Sequence, residues 1–251
     1  MTKTSVETIP VCEFCGTPYQ PTHLDPAIYQ LRTIGDRLRY APACDCLMKE
    51  RRKDFLKARQ LQIEQACRAE IERRFLASRL SRRFRERTFE NFIPRDTASE
   101  RSLSLIYEYA HQFEQIRNQE LNGLYIYGSW DLGKTHLAAA VVNHLVPREV
   151  SVIYLKITRL VSELREAFSS GSSVESIKQP IFACNLLVLD DLGVGNHREW
   201  FNTDLFDILD FRYESRQPVI ITSNLDLEQI AQYYDRRIAI RIQRMCQMVK
   251  V

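Results

Sequence analysis

Gly128-Ser129-Trp130-Asp131-Leu132-Gly133-Lys134-Thr135 has the spacing G-x-x-x-x-G-K-[ST] of a phosphate-binding loop. The spacing has a mechanical reason. A glycine-bearing loop can turn successive backbone N–H groups inward around phosphate oxygens. Lys134 then reaches the β- and γ-phosphates, and the Thr135 hydroxyl ligates Mg²⁺. The flanks supply the setting the motif needs. Leu124-Tyr125-Ile126-Tyr127 is a short apolar run of strand-forming residues, and His136 to Leu145 is a good helix-former. Strand, loop and helix in that order put the phosphates at a helix N-terminus. Gly128, Ser129, Trp130, Asp131, Leu132, Gly133, Lys134, Thr135 and His136 are therefore the candidate nucleotide contacts.

The rest of the chain bounds the possibilities. A length of 251 residues with 45% apolar content allows a sizeable core and room for a second, smaller module. The net charge of +3 says little about partners as a whole. No run approaches the roughly 18 consecutive apolar residues of a membrane span. Met1 to Pro10 is polar and lacks the apolar centre of a signal peptide. These features predict a cytoplasmic protein without a membrane partner. The seven cysteines then point to metal or free thiols rather than a disulfide framework.

Four of them lie in two close pairs, Cys12-x-x-Cys15 and Cys44-x-Cys46. Soft thiolates in a tetrahedron are what Zn²⁺ prefers, so residues 1–50 are expected to be a zinc-binding module. His23 is an alternative fourth ligand. Residues 51–95 read as a helical arm. Leu47 to about Ser78 has neither Pro nor Gly, is rich in helix formers, and is polar around much of its circumference. The helix is expected to continue into the basic run Arg79 to Arg87, where Arg82, Arg83 and Arg85 are candidate contacts to nucleic-acid phosphates, with a solvated hinge as the alternative. Thr88 to Pro94 places two aromatics beside a proline and reads as the entrance to a second domain, 96–251.

In that domain strands alternate with helices. Leu186-Leu187-Val188-Leu189 ends in Asp190-Asp191, and Pro218 to Ser223 ends in Asn224. Alternation of this kind implies an α/β fold, a parallel sheet covered on both faces, with its chemistry beyond the carboxyl ends of the strands. Asp190 is then placed to hold Mg²⁺ together with Thr135, and Asp191 to polarise the attacking water. Asn224 can direct its amide at the γ-phosphate or at that water.

Gly128 to Leu137, Leu186 to Gly193, Thr222-Ser223-Asn224 and Arg237 to Ile242 together resemble the AAA+ ATPases of the DnaC/DnaI type, which load the replicative helicase onto DNA. The paired cysteines resemble the zinc-binding N-terminal module of many members. The resemblance implies ATP, Mg²⁺ and Zn²⁺ as cofactors. It implies the hexameric replicative helicase and single-stranded DNA as partners, and self-association through the ATPase domain. By the same likeness, Asn224 takes the sensor 1 position and Arg241 is the arginine finger offered to a neighbouring subunit's ATP. Two other readings share parts of this pattern: a transposition helper ATPase of the IstB type, and a nucleotide-gated adaptor that barely hydrolyses ATP. One residue departs from the family pattern. Many members carry Gly where this chain has Asp131, and a carboxylate there is expected to weaken ATP binding and slow turnover, with Mg²⁺ partly compensating.

Overall fold

A computed structural model describes residues 11–21, 40–41, 44–194 and 199–251. It separates into two compact units, residues 1–68 and 69–251. His23 lies outside the described residues. In the first unit Cys12 and Cys15 flank a tight turn, with the Gly16 N–H donating to the Cys12 carbonyl at 2.9 Å. Gly16 has a φ of 70°, where a glycine is the favoured residue. Two-residue strands β1 (Gln20–Pro21) and β2 (Tyr40–Ala41) pair antiparallel beside it.

Helix α1 (Cys46–Ala77) follows, uninterrupted by Gly or Pro. Phe55, Leu56, Leu61 and Ile63 are all more than half exposed on it. The helix does not run on through the basic segment as the composition predicts. It stops at Ala77 because the Ser78 hydroxyl bonds back to the Phe75 carbonyl, and Arg79 takes a left-handed φ of 60°. Only Arg82–Arg85 is helical again, as α2.

Next in the second unit is α3 (Thr97–His111), opened by Asp96 and Ser99 in a reciprocal capping box. Its buried face carries Ile106, Tyr109 and Ala110, while Tyr107 points outward. The short α4 (Phe113–Ile116) follows and buries Phe113. Then come β3 (Gly123–Tyr127), α5 (Lys134–Leu145), β4 (Val152–Lys156), α6 (Ile157–Ser170), α7 (Glu175–Ala183) and β5 (Leu186–Leu192). The chain closes with α8 (Glu199–Glu214), β6 (Val219–Ser223), α9 (Leu227–Tyr233), α10 (Arg236–Met245) and β7 (Cys246–Lys250).

Strands β3 to β7 form one five-stranded sheet in the order β4-β5-β6-β3-β7, every neighbouring pair parallel. Their near-continuous apolar runs fit strands buried on both faces. One face packs on α3 and α5 through Ile106, Leu137 and Val141. The other packs on α6, α8 and α10 through Leu160, Leu164, Leu205 and Ile242. Each such side chain is worth about 1.5–3 kcal/mol of burial. Arg212 is wholly buried and donates to the carbonyls of Ile181 and Pro218, both at 2.7 Å. It thereby ties α7 to the start of β6 below the sheet. The order matters for function: β3 lies beside β6, with β5 next in line. The ends of all three meet at one edge.

Candidate functional site

The loop between β3 and α5 is set by two glycines. Gly128 has a φ of 147°, and a Cβ there would come within 2.2 Å of the Val251 carbonyl oxygen. Gly133 has a φ of 88° and caps α5, and a Cβ there would meet the Phe92 ring at 2.5 Å. Neither position admits a side chain without rearrangement. Lys134, the next residue, is buried, its Nζ reaching back to donate to the carbonyls of Gly128 at 3.0 Å and Ser129 at 2.6 Å. Burial lowers its pKa, against the opposing pull of Asp191 and Asp190. Ser129 is exposed, Trp130 is 73% exposed, and Leu132 packs on the core cluster of α5.

Thr135, on the first turn of α5, donates its hydroxyl to Asp190 Oδ1 at 3.0 Å. Asp190 is fully buried near the end of β5, and burial raises its pKa, while the hydrogen bonds from Thr222 and Thr135 oppose the rise. Its Oδ2 is buried without a hydrogen-bond partner. A buried carboxylate oxygen left unpaired, beside a threonine hydroxyl, fits a hard divalent cation. Asp191 faces elsewhere. The β5–β6 register shifts between Leu189 and Leu192, and Asp191 takes a φ of 63°. Its side chain is 34% exposed and lies 3.7 Å from Lys156 Nζ. Asn224 follows β6 directly and is half-buried.

Three sequence-predicted residues have other neighbours than expected. His136 turns its ring to the preceding segment, pairing with the Thr88 carbonyl at 2.9 Å and meeting the Phe92 ring edge-on at 5.2 Å. Burial lowers its pKa, so the neutral form is favoured there. Arg85 pairs with Glu72 and stacks over Phe75 at 5.3 Å, whereas Arg82 and Arg83 are exposed. Asp131 points away from the loop interior. It is 89% exposed and pairs with Arg95 at 3.0 Å.

Two parts of the site are not visible in the motifs. Thr222 Oγ1 donates to Asp190 Oδ1 at 2.7 Å and accepts from the Asp191 N–H at 2.9 Å. Segment 84–95 lies over the loop and encloses a cavity of 340 Å³ lined by Phe84, Arg87, Asn91, Phe92, Gly133 and His136. The aromatics beside Pro94 were the available signal. A larger groove of 830 Å³ runs along α3 by Leu121 and Gln247 and contains no phosphate-loop residue.

In the first unit the Sγ atoms of Cys12, Cys15, Cys44 and Cys46 all lie within 4.8 Å of one another. Hydrogen bonds with Thr17 pull the Cys15 thiol down to about 6, and its neighbour Cys15 pushes Cys46 up to about 12. Thiols so close resist joint ionisation unless a cation sits among them. The donor set and spacing fit Zn²⁺.

A phosphate loop on β3, a buried acid on β5 and a parallel sheet in this order define an AAA+ type nucleotide-binding fold. The chain belongs to the family of IstB-like ATP binding proteins, whose profile matches residues 51–250. It is 26% identical over 156 residues to the replicative helicase loader DnaC of Escherichia coli strain K12, spanning 62% of either chain. Solved structures of DnaI and of the DnaC helicase loader superpose with a TM-score of 0.61 each. They are 24% and 23% identical, cover 68% of this chain, and are themselves covered to 94% and 99%. Among the described residues no helix is long and apolar enough to cross a membrane.

Proposed function

We propose that the chain is an ATP-dependent loader of a replicative DNA helicase. The observation that carries the ATPase part is the convergence of Thr135 and Thr222 on buried Asp190, with Thr135 next in sequence to the buried Lys134. Thr135 and Asp190 would hold Mg²⁺, which would neutralise charge on the transferred phosphoryl group. Lys134 and the loop N–H groups bind the phosphates. Asp191, partly exposed near the strand end, orients the attacking water, and Asn224 fixes its position. The cavity under segment 84–95 accepts the base, with Phe92 as its apolar wall. The likeness to DnaC supports the choice of partner. Zn²⁺ held by Cys12, Cys15, Cys44 and Cys46 keeps the N-terminal unit folded as a helicase-gripping module. Arg82 and Arg83 touch single-stranded DNA. Protomers assemble through the ATPase unit, with Arg241 acting on a neighbour's ATP, and hydrolysis releases the helicase.

The family name itself favours a second reading, a helper ATPase that delivers a transposase. Affinity capture of the full chain with Mg-ATP, from a lysate of its own host, separates the two. Stoichiometric recovery of a replicative helicase supports the loader. Recovery of a transposase without helicase overturns it.

A further inference from the structure

Arg241 is held in an unusual way. Its Nε pairs with Asp210 Oδ1 on α8, one helix away. Its guanidinium lies over the Tyr213 ring at 4.8 Å and near the Phe206 ring at 5.9 Å. Phe206, Asp210 and Tyr213 sit three or four residues apart, so one face of α8 supplies all three. The side chain is only 23% exposed. Neither Nη group makes a hydrogen bond within the described residues. The other arginines of α10 differ. Arg237 also lies over Phe206, at 4.7 Å, but spends Nε and Nη2 on Asp235, at 3.1 Å and 2.9 Å. Arg236 and Arg244 are exposed without such a clamp.

A guanidinium pinned through Nε keeps its plane fixed and leaves its two terminal NH₂ groups side by side. That is the fork which recognises a phosphate bidentately. A free arginine would lose rotamer freedom on binding, and a pinned one has lost most of it already. We propose that Asp210 is a positioning residue for Arg241, orienting its Nη pair toward the nucleotide of a neighbouring copy of this chain, with Tyr213 holding the guanidinium plane. The proposal rests on the trans reading of Arg241 given above. It assigns Asp210 no contact with nucleotide.

Mixed assemblies of the full chain test it. Lys134→Ala chains supply Arg241 but bind no ATP, and Arg241→Ala chains bind ATP but supply no arginine. Their mixture is expected to hydrolyse ATP. Asp210→Ala is then added to one chain or the other. On the Lys134→Ala chain it is expected to cut turnover about 10- to 100-fold, the usual cost of a displaced catalytic group, with KM for ATP little changed. On the Arg241→Ala chain, where Asp210 has no arginine to hold, the loss should be several-fold smaller. Asp210→Asn, close in shape, repeats the comparison if Asp210→Ala does not fold. It is expected to fall between the two. Equal losses on both chains, or no loss on the donor, overturn the positioning role while leaving the trans reading intact. A parental mixture that forms mixed assemblies but never hydrolyses ATP overturns both.

Discussion

Thr222 Oγ1 donates to Asp190 Oδ1 at 2.7 Å, and the same oxygen accepts the Asp191 N–H at 2.9 Å. One hydroxyl on β6 therefore orients both acids of β5. It also fastens the β5 bulge that turns the two carboxylates in different directions. Thr222→Val keeps the volume but removes both bonds. It leaves a peptide N–H unsatisfied, at a cost of about 1–3 kcal/mol. Thermal melting should fall by about 2–4 °C for each kcal/mol lost. Turnover should fall more than nucleotide affinity, because Lys134 and the loop are untouched, and Thr222→Ser should restore both. An unchanged melting temperature and rate in Thr222→Val would remove Thr222 from the site.

The basic segment separates into two roles. Arg82 and Arg83 are exposed, while Arg85 is spent on Glu72 and Phe75. Replacing Arg82 and Arg83 with Ala should weaken single-stranded DNA binding alike for all sequences. It should also flatten the salt dependence by about 0.7 per lost phosphate contact. Arg85→Ala should loosen the segment without changing that slope. An identical slope for the double variant and the parent would make the run a solvated surface.

The strand, loop and helix around Lys134 were readable because glycine spacing and apolar periodicity are local properties. So was the approach of Thr135 to Asp190, since parallel α/β sheets gather strand ends at one edge. The strand order was not readable. Nothing local tells β6 to insert between β3 and β5, and so Thr222 looked like one more buried β-branched residue. Helix α7 carries Pro180 in its interior, a residue that ordinarily breaks helices. The end of α1 at Ala77 is equally hidden. Besides the local Ser78 and Arg79 geometry, Tyr154 donates its N–H to the Ser78 carbonyl at 2.8 Å, a contact between segments far apart in sequence. His136 follows the loop motif directly, yet only the path of segment 84–95 decides where its ring goes.

The cysteine cluster predicts about one Zn²⁺ per chain in reduced protein. Cys12→Ser with Cys46→Ser should release it and loosen the first unit, while ATP binding by the second unit persists. Elemental analysis with a thermal melt reads both effects. Reduced protein without zinc would reject the site. Full zinc in Cys44→Ser would shift the fourth ligand to His23.

Asp131 is the residue whose expected effect the geometry changes. A carboxylate turned into the loop would repel phosphate and compete for its N–H groups. Here it turns outward, 89% exposed, with Arg95 Nη2 3.0 Å from Oδ2. Its φ of 60° is one that Asp tolerates better than most residues, so the loop keeps its path. Water and the Arg95 charge both screen it, and exposed pairs of this kind are worth no more than about 1 kcal/mol. Asp131→Gly should therefore change the Kd for Mg-ATP by less than about fivefold. Arg95→Ala should weaken binding more than Asp131→Gly alters it, because it unmasks the carboxylate. The double variant should recover most of that loss, since no bare charge remains. Calorimetric titration of the four proteins at equal Mg²⁺ gives the complete cycle. Tightening by more than about tenfold in Asp131→Gly alone would mean that the carboxylate does burden the loop and that Arg95 does not shield it.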